Sequence, residues 1–370
     1  MAQIFQRNNT WGYRVWLDSK HSKSKSGFKR RKDAYNAAIE LEDKRGKNLL
    51  SEDEGISFPD YFNKWIKTYK LGRLDRTTES KYITASKVIT EYFEGVAFKD
   101  VATTNYQTML DDYAKNHAKD TTRRFNSYIK KAVKYAINDG IIYRDFTFGA
   151  IIDGLKSKDS SLKFLEIGEA EALKKVCIET WSLNSITRAE ILFGLLTGCR
   201  YGEVAGLTWD CVDLNKQTVT INKSYDYVSR SGFKPTKTET SNRTISISDE
   251  TTDMLETLLE QQDILFKKHH FKNPNKHVFI NNRHQVPSGN AVNKTLAQIL
   301  NDISAKNIIT FHGLRHTHAS LLIAHGISID YISERLGHSN VSMTYRVYTH
   351  LLENVREKDN ENTMDFLNNL

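Results

Sequence analysis

Two polar stretches interrupt this 370-residue chain, and no single hydrophobic core can run through them. The first covers 47–56 (Lys-Asn-Leu-Leu-Ser-Glu-Asp-Glu-Gly-Ile) and the second 151–163 (Ile-Ile-Asp-Gly-Leu-Lys-Ser-Lys-Asp-Ser-Ser-Leu-Lys). The three pieces they separate carry different hydrophobic periodicities, so each must close a core of its own. The length agrees, since a chain of this size accommodates two or three domains. The reading is a small domain at 1–50, a helical domain at 57–150 and a mixed, mostly helical domain at 160–370. The fold class expected is mainly α with small β elements (α+β).

The first piece reads as strands followed by a helix. Ile4-Phe5 and then Tyr13, Val15 and Leu17, with Trp11 at the edge, alternate as strands do. Asn8-Asn9 suits a hairpin turn. Ser22 to Gly27 reads either as a polar mobile stretch or as a weakly signalled third strand. From Lys32 the residues Ala34, Ala37, Ala38 and Leu41 follow helical spacing, and Lys44-Arg45-Gly46 makes a cationic last turn with a glycine stop. Residues 1–50 hold twelve Lys/Arg against five Asp/Glu, a net of +7, which leaves +1 for the other 320 residues. A basic head on a nearly neutral body points to a polyanion, nucleic acid first and anionic membrane second. Its candidate contacts are Arg14, Lys23, Lys25, Lys29, Arg30, Arg31 and Lys32.

The second piece is helical throughout. Ser57 can cap a helix with Asp60 three residues on, and Phe58, Phe62, Trp65 and Tyr69 form its apolar stripe. Further helices are expected from Thr77 or Thr78 to Gly95, over 103–116, and from Thr121 to Asn138. In the last, Phe125, Ile129, Ala132 and Ala136 point inward, and Arg123, Arg124, Lys130, Lys131 and Lys134 occupy the other side. That basic side reads as a solvated face or as a DNA-facing one. In the third piece, helices are expected at 168–179, 185–197, 201–207 and 250–266. Strands are expected at Thr218–Asn222, Thr244–Ile247 and, briefly, His277–Ile280, with a polar hairpin-like stretch between the first two. The remainder to 370 reads as mostly helical.

Several classes are excluded at this level. No run of about 18 apolar residues offers a membrane span, and the first residues lack a signal peptide's apolar stretch. Cys177, Cys199 and Cys211 form no CxxC pair and are odd in number, against a disulfide framework or a structural zinc site. A cytoplasmic protein is expected.

Beyond residue 195 the chain carries an unusual set of groups. Arg200 follows a glycine in Thr-Gly-Cys-Arg-Tyr-Gly-Glu (197–203). Thr236-Lys237-Thr238 lies between two strand candidates. His312, Arg315 and His316 open a helix in His-Gly-Leu-Arg-His-Thr-His (312–318). His338 lies in Leu-Gly-His-Ser (336–339), and Tyr348 in Tyr-Thr-His (348–350). Together they suit a phosphodiester in reaction. Arginine forks match its non-bridging oxygens, and a tyrosine hydroxyl can attack phosphorus if a base or cationic field offsets its pKa of about 10. A lysine or histidine can protonate the leaving oxygen. His312 and His316 are four apart, but Gly-Leu-Arg between them lacks the base of a zinc helix, and Arg315 would repel a cation. No metal is expected.

These motifs, in this order and spacing, resemble the tyrosine recombinase family in its phage and mobile-element, lambda-integrase-like branch. The resemblance covers the last 200 or so residues most strongly, with Asn-Arg-Thr-Ile (242–245) among its motifs. It implies an arm-type DNA-binding domain at 1–50, a core-binding domain at 57–150 and a catalytic domain at 160–370. It assigns Tyr348 as nucleophile forming a 3′-phosphotyrosine, and Arg200 and Arg315 as clamps on the phosphate. Lys237 becomes the general acid, His312 and His338 handle protons, and Glu203 orients Arg200. Lys234 competes with Lys237, and Tyr345 with Tyr348. The resemblance implies strand transfer without metal, ATP or any cofactor, and no phosphate-loop or dinucleotide motif is present.

Implied partners are double-stranded DNA with core and arm-type att sites, a homotetramer on DNA, and an excisionase or host DNA-bending protein, with no membrane. Leu351 to Leu370, with Met364, Phe366 and Leu367, suits packing on a neighbouring subunit or on its own domain. A chromosome resolvase or invertase, a catalytically inactive DNA-binding relative and a type IB topoisomerase are the alternatives. The basic residues 1–32 weigh against the resolvase, and the filled catalytic positions against the inactive relative.

Overall fold

The computed structural model describes residues 2–16, 22–46, 55–156, 164–236, 239–342, 344, 345, 348, 363, 364 and 366–369. Leu17, most of both polar stretches, Lys237, Thr238, Thr349 and His350 lie outside the described residues. The chain divides into two compact units, 1–157 and 158–370. Among the described residues, no helix is long and apolar enough to cross a membrane.

The first unit contains two apolar clusters. One joins an antiparallel sheet, β1 (Gln3–Arg7), β2 (Thr10–Trp16) and β3 (Ser22–Phe28), to α1 (Arg31–Gly46). Asn8 and Asn9 turn the first hairpin with φ of 47° and 56°, a left-handed pair that asparagine tolerates. Tyr13 and Val15 of β2 pack with Ala38 of α1, and Ala34 is buried as well. The stretch 22–27 is a strand. Its Ser-Lys alternation carries no apolar signal, and pairing with β2 holds it, from Gly12↔Ser26 to Trp16↔Ser22. Gly12 is obligatory there, because a Cβ would lie 2.8 Å from the Phe5 ring and 2.9 Å from the Lys25 carbonyl.

The other cluster closes a helical block of α2 (Phe58–Tyr69), α3 (Arg76–Phe93), α4 (Thr103–Lys115) and α5 (Lys119–Asn138). Ser57 caps α2, its Oγ accepting from the Asp60 amide at 3.2 Å and donating to Asp60 Oδ2 at 2.6 Å. Asp75 caps α3, so that helix begins a residue or two before the expected threonines. Phe58 stacks on Phe98 at 4.7 Å and meets Phe146 edge-on at 5.4 Å. Each side chain buried so completely contributes about 2–3 kcal/mol by transfer from water. On α5, Phe125, Ile129, Ala132, Val133 and Ala136 are buried.

The second unit is built around α7 (Ile186–Thr197), a mostly apolar helix buried from Ala189 to Leu195 without a break. α6 (Ile167–Thr180), α9 (Asp249–His269), α10 (Gly289–Asp302) and α11 (Phe311–Ala324) surround it, and α12 (Ile329–Leu336) packs on α11. A Cβ on Gly194 of α7 would fall on the Phe311 ring, so this glycine sets how closely α11 approaches. After the short α8 (Tyr201–Ala205), β4 (Val212–Asp213), β5 (Thr218–Ile221) and β8 (Arg243–Ser246) form one sheet. A hairpin of β6 (Lys223–Tyr225) and β7 (Phe233–Pro235) lies between β5 and β8 in sequence. His277–Ile280 is buried but is not a strand: His277 makes one isolated bridge to Thr208. The apolar run there signalled burial rather than pairing.

Candidate active site

α7 ends in a left-handed cap at Gly198 (φ 68°), where a Cβ would strike Leu336 and His318. That turn sets Arg200 at the start of α8. Glu203, one turn on, accepts from the Arg200 backbone amide at 3.0 Å and from its Nη1 at 2.8 Å. The other side of the same carboxylate receives Nη2 of Arg243, from β8, at 2.9 Å. Arg243 is further fixed by donating to the carbonyls of Arg335 at 2.6 Å and Ser241 at 2.9 Å. Arg200 Nη2 reaches the Gly337 carbonyl at 3.4 Å. Arg315, from the first turns of α11, donates Nη1 to the Gly198 carbonyl at 3.0 Å. Its Nη2 is buried and makes no hydrogen bond among the described residues. Such a donor is costly to leave unmet and is well placed for an anionic oxygen.

The electrostatics follow from burial. Arg315 is 3% exposed; burial, and then the Arg200 charge, pull its pKa down to about 10, so it stays charged at neutral pH. Burial would raise Glu203, but Arg243 and Arg200 outweigh it and hold the carboxyl below the ordinary glutamate range. His338 follows α12 across a second left-handed glycine, Gly337 (φ 68°). Burial, then Arg315 and Arg200, lower its pKa to about 4, and its Nδ1 pairs with Thr344 Oγ1 at 2.7 Å. The imidazole is thus neutral at pH 7. Tyr348 is 2% exposed and packs with Ile323, Ile329, Ile332 and Leu336. Its hydroxyl lies 2.9 Å from His316 Nδ1. Burial pushes that hydroxyl's pKa up, and the Arg315 charge opposes the rise.

The structure therefore brings Arg200, Glu203, Arg315, His338 and Tyr348 into one site. His312 is exposed and shares with Arg200 a cleft of about 530 Å3, whose wall includes Thr236 and Asn293. Lys237 lies outside the described residues. Its competitor Lys234 is committed elsewhere, pairing with Asp226 at 3.1 Å across the β6–β7 hairpin. Asp226 also accepts from the Ser229 amide and from Ser229 and Ser231 hydroxyls, and these bonds hold its carboxyl well below the usual range. Tyr345, the competitor of Tyr348, is exposed.

Two site residues were not assigned from sequence. Arg243 stands inside the Asn-Arg-Thr-Ile motif, but a buried arginine cannot be told from a surface one until its carboxylate partner is placed. His316 lies between recognised positions, and its spacing from His312 suggested only a metal pair. Among the described residues, no group of three or more His, Cys, Asp or Glu could hold a metal ion.

The basic residues do not form one patch. Arg14 pairs with Gln3 and Ser24 on one face of the small sheet. Lys23 and Lys25 lie opposite Val15 and Tyr13, on the face that carries α1. Arg31 and Lys32 occupy the first turn of α1, against the helix dipole, a placement that lowers helix stability. Lys29 and Arg30 precede it, exposed. On α5, Arg123, Lys130 and Lys134 share one stripe and Arg124 and Lys131 the next, opposite the buried face. Arg123 also pairs with Asp120.

Comparison with known proteins agrees with this geometry. The phage integrase family matches residues 163–354. The integrase of Staphylococcus phage L54a is 25% identical over 334 residues, covering 85% of this chain and 94% of that protein. Among solved structures, the Tn1549 transposon integrase in complex with transposon right end DNA superimposes with a TM-score of 0.64. It shows 16% identity and covers 79% of this chain and 95% of that one. A lambda integrase dimer bound to a COC' core site gives a TM-score of 0.60 at 17% identity, covering 93% of each chain.

Proposed function

The chain belongs to the phage integrase family and is a site-specific tyrosine recombinase, and from that premise we propose that Tyr348 is its nucleophile and that Arg200, Lys237, His312, Arg315 and His338 complete the catalytic set. Tyr348 Oη attacks the scissile phosphorus, and the bridging bond to the 5′-oxygen breaks. Arg200 and Arg315 hold the non-bridging oxygens. Lys237 protonates the leaving oxygen, while His312 and His338 contact the phosphate and move protons. Glu203 and Arg243 brace Arg200. The bond energy is kept in a 3′-phosphotyrosine, so religation needs neither ATP nor a metal ion.

The observation that carries this reading is the convergence of two arginines and a neutral histidine beside a buried tyrosine. The unmet Nη2 of Arg315 supports it, since a phosphate oxygen is the acceptor such a site is built for. The Lys234–Asp226 ion pair supports Lys237 as the acid, because it removes the nearest competitor.

In this reading, residues 1–50 contact arm-type DNA and 57–150 contact core DNA, largely through phosphates and with steep salt dependence. The domain at 160–370 performs the chemistry. Four copies assemble on two duplexes for strand exchange, with an excisionase or a host DNA-bending protein setting direction. The C-terminal helical residues support exchange between copies: Met364, Phe366 and Leu367 are exposed in the single chain and so available to a neighbour. The test is a nicked suicide duplex carrying the core site. Tyr348→Phe should abolish the covalent adduct while DNA affinity stays within about twofold, and adduct formation should persist in EDTA. An adduct of undiminished yield in Tyr348→Phe removes Tyr348 from the role.

A further inference from the structure

We infer that His316 is the group that takes the phenolic proton of Tyr348 during cleavage. The inference rests on Tyr348 being the nucleophile. His316 follows Arg315 directly on α11, so one helix turn presents both the guanidinium for the phosphate and an imidazole for the hydroxyl. Its Nδ1 stands 2.9 Å from Tyr348 Oη, within the 2.6–3.2 Å reach required of a general base.

The other histidines of the site are placed for different tasks. His318 is consumed on both ring nitrogens, Nδ1 at the Leu195 carbonyl (2.9 Å) and Nε2 by Arg335 Nε (3.1 Å). His338 Nδ1 is engaged with Thr344. His312 meets His316 edge-on with ring centroids 4.9 Å apart, and it faces the cleft shared with Arg200. A buried phenol does not ionise unaided at neutral pH, so a base in contact with it has work to do.

His316 begins as the Nε2–H tautomer, its Nδ1 lone pair accepting the Tyr348 O–H. As the Oη–P bond forms, the phenolic proton passes to Nδ1; as the P–O5′ bond breaks, Lys237 supplies a proton to the 5′-oxygen. On religation the 5′-hydroxyl attacks, and the Nδ1 proton of His316 returns to the departing phenolate. His316 is then an acid in the reverse step, as microscopic reversibility requires.

The experiment uses the full chain and two suicide duplexes that differ in one atom, oxygen or sulfur at the 5′-bridging position. A thiolate leaves without a proton, so the sulfur substrate removes the need for a general acid only. His316→Ala and His316→Asn should both slow single-turnover adduct formation by about 10²-fold or more on either duplex. Lys237→Ala should be slow on oxygen and recover on sulfur. Asparagine keeps a hydrogen-bonding group near the Nδ1 position but cannot take the proton, so a residue that only positions Tyr348 would leave His316→Asn near the wild-type rate. That result, or rescue of the His316 variants by sulfur, overturns the inference. Should either variant misfold, histidine nitrogen NMR of the wild-type chain decides: a proton on His316 Nδ1 at pH 7 refutes it. Absence of any adduct from the wild type would instead refute the nucleophile assignment.

Discussion

Replacing Glu203 with Gln changes one charge and almost no volume, at the point where the site's cations are held together. The carboxylate is 4% exposed, and it bonds Arg200 Nη1 at 2.8 Å and Arg243 Nη2 at 2.9 Å. The Arg243 side chain is 5% exposed. A glutamine can accept from one guanidinium with its carbonyl oxygen, but its NH2 then faces the other, donor against donor. Arg200, Arg243 and Arg315 would remain close together without a counter-charge. Unit charges 4 Å apart interact by about 4 kcal/mol at an effective dielectric of 20, and removing one partner of a buried pair costs about 3–5 kcal/mol.

For a unit of this size each kcal/mol moves Tm by about 2–4 °C. Glu203→Gln should therefore lower the second unit's melting temperature by roughly 6–20 °C. Adding Arg243→Met should return part of the loss, because it removes an uncompensated cation. The wild type should lose the Glu203 contribution in acid, as pH falls through a folded pKa held below the ordinary glutamate range. The measurement is a double-mutant cycle by denaturant unfolding at pH 7. A Glu203→Gln loss under about 1 kcal/mol, or additive effects of the two changes, would show that the carboxylate does not neutralise the cluster.

Glu190, fully buried in α7, gives a stability prediction of opposite pH sense. Its Oε1 lies 3.4 Å from the Tyr201 hydroxyl, and burial pushes its pKa well above the ordinary value. The folded chain thus keeps a proton that the unfolded chain releases above about pH 4.3, and stability falls as pH rises from there through the folded value. Glu190→Gln should abolish that slope, so its Tm advantage over the wild type should widen from pH 5 to pH 8; parallel curves would contradict the assignment. Gly337→Ala should destabilise by about 1–2 kcal/mol for the left-handed backbone alone. Its Cβ would also lie 3.0 Å from Arg243 Nη1 and 3.1 Å from the Ser241 Cα, displacing the carbonyl that Arg200 uses. Adduct formation should slow while DNA affinity holds, and an unchanged rate would mean that this carbonyl does not position Arg200.

What the sequence reveals depends on whether a residue's job is local. The stripes of α2 and α5 are legible because their burial repeats at helical spacing along one element. The Ser57 cap is legible because its partner is three residues away. β3 is legible only as one of two readings, because an edge strand that is polar as far as Phe28 is held by backbone pairing to β2 and leaves little side-chain pattern. His277–Ile280 misleads for the converse reason, since four buried residues in a row satisfy a core without joining a ladder. The same division runs through the site. Arg200, Arg315 and Tyr348 stand in short motifs that say little singly and gain their roles from the resemblance that the motifs carry together. Arg243 acquires its meaning from Glu203, 40 residues away, and His316 from Tyr348, 32 residues away.

The charge asymmetry and the site obey different physics, although both are made of lysine and arginine. Under the proposed function, the cations of residues 1–50 and of α5 act from the surface, where screening over about 8–10 Å sets their reach. Their number matters more than their placement, and Arg31 and Lys32 stand at a helix start where they oppose the dipole. Arg200 and Arg243 instead share one carboxylate, Arg315 lies within reach of its charge, and two of the three guanidiniums are almost wholly withdrawn from solvent. Ionic strength scarcely reaches such groups, and geometry decides what they do. The near-neutral charge of residues 51–370 is therefore no measure of their capacity for phosphate chemistry. Three clustered arginines against one glutamate leave a local excess of positive charge that counting the chain averages away, and that excess is what a phosphodiester entering the site would meet.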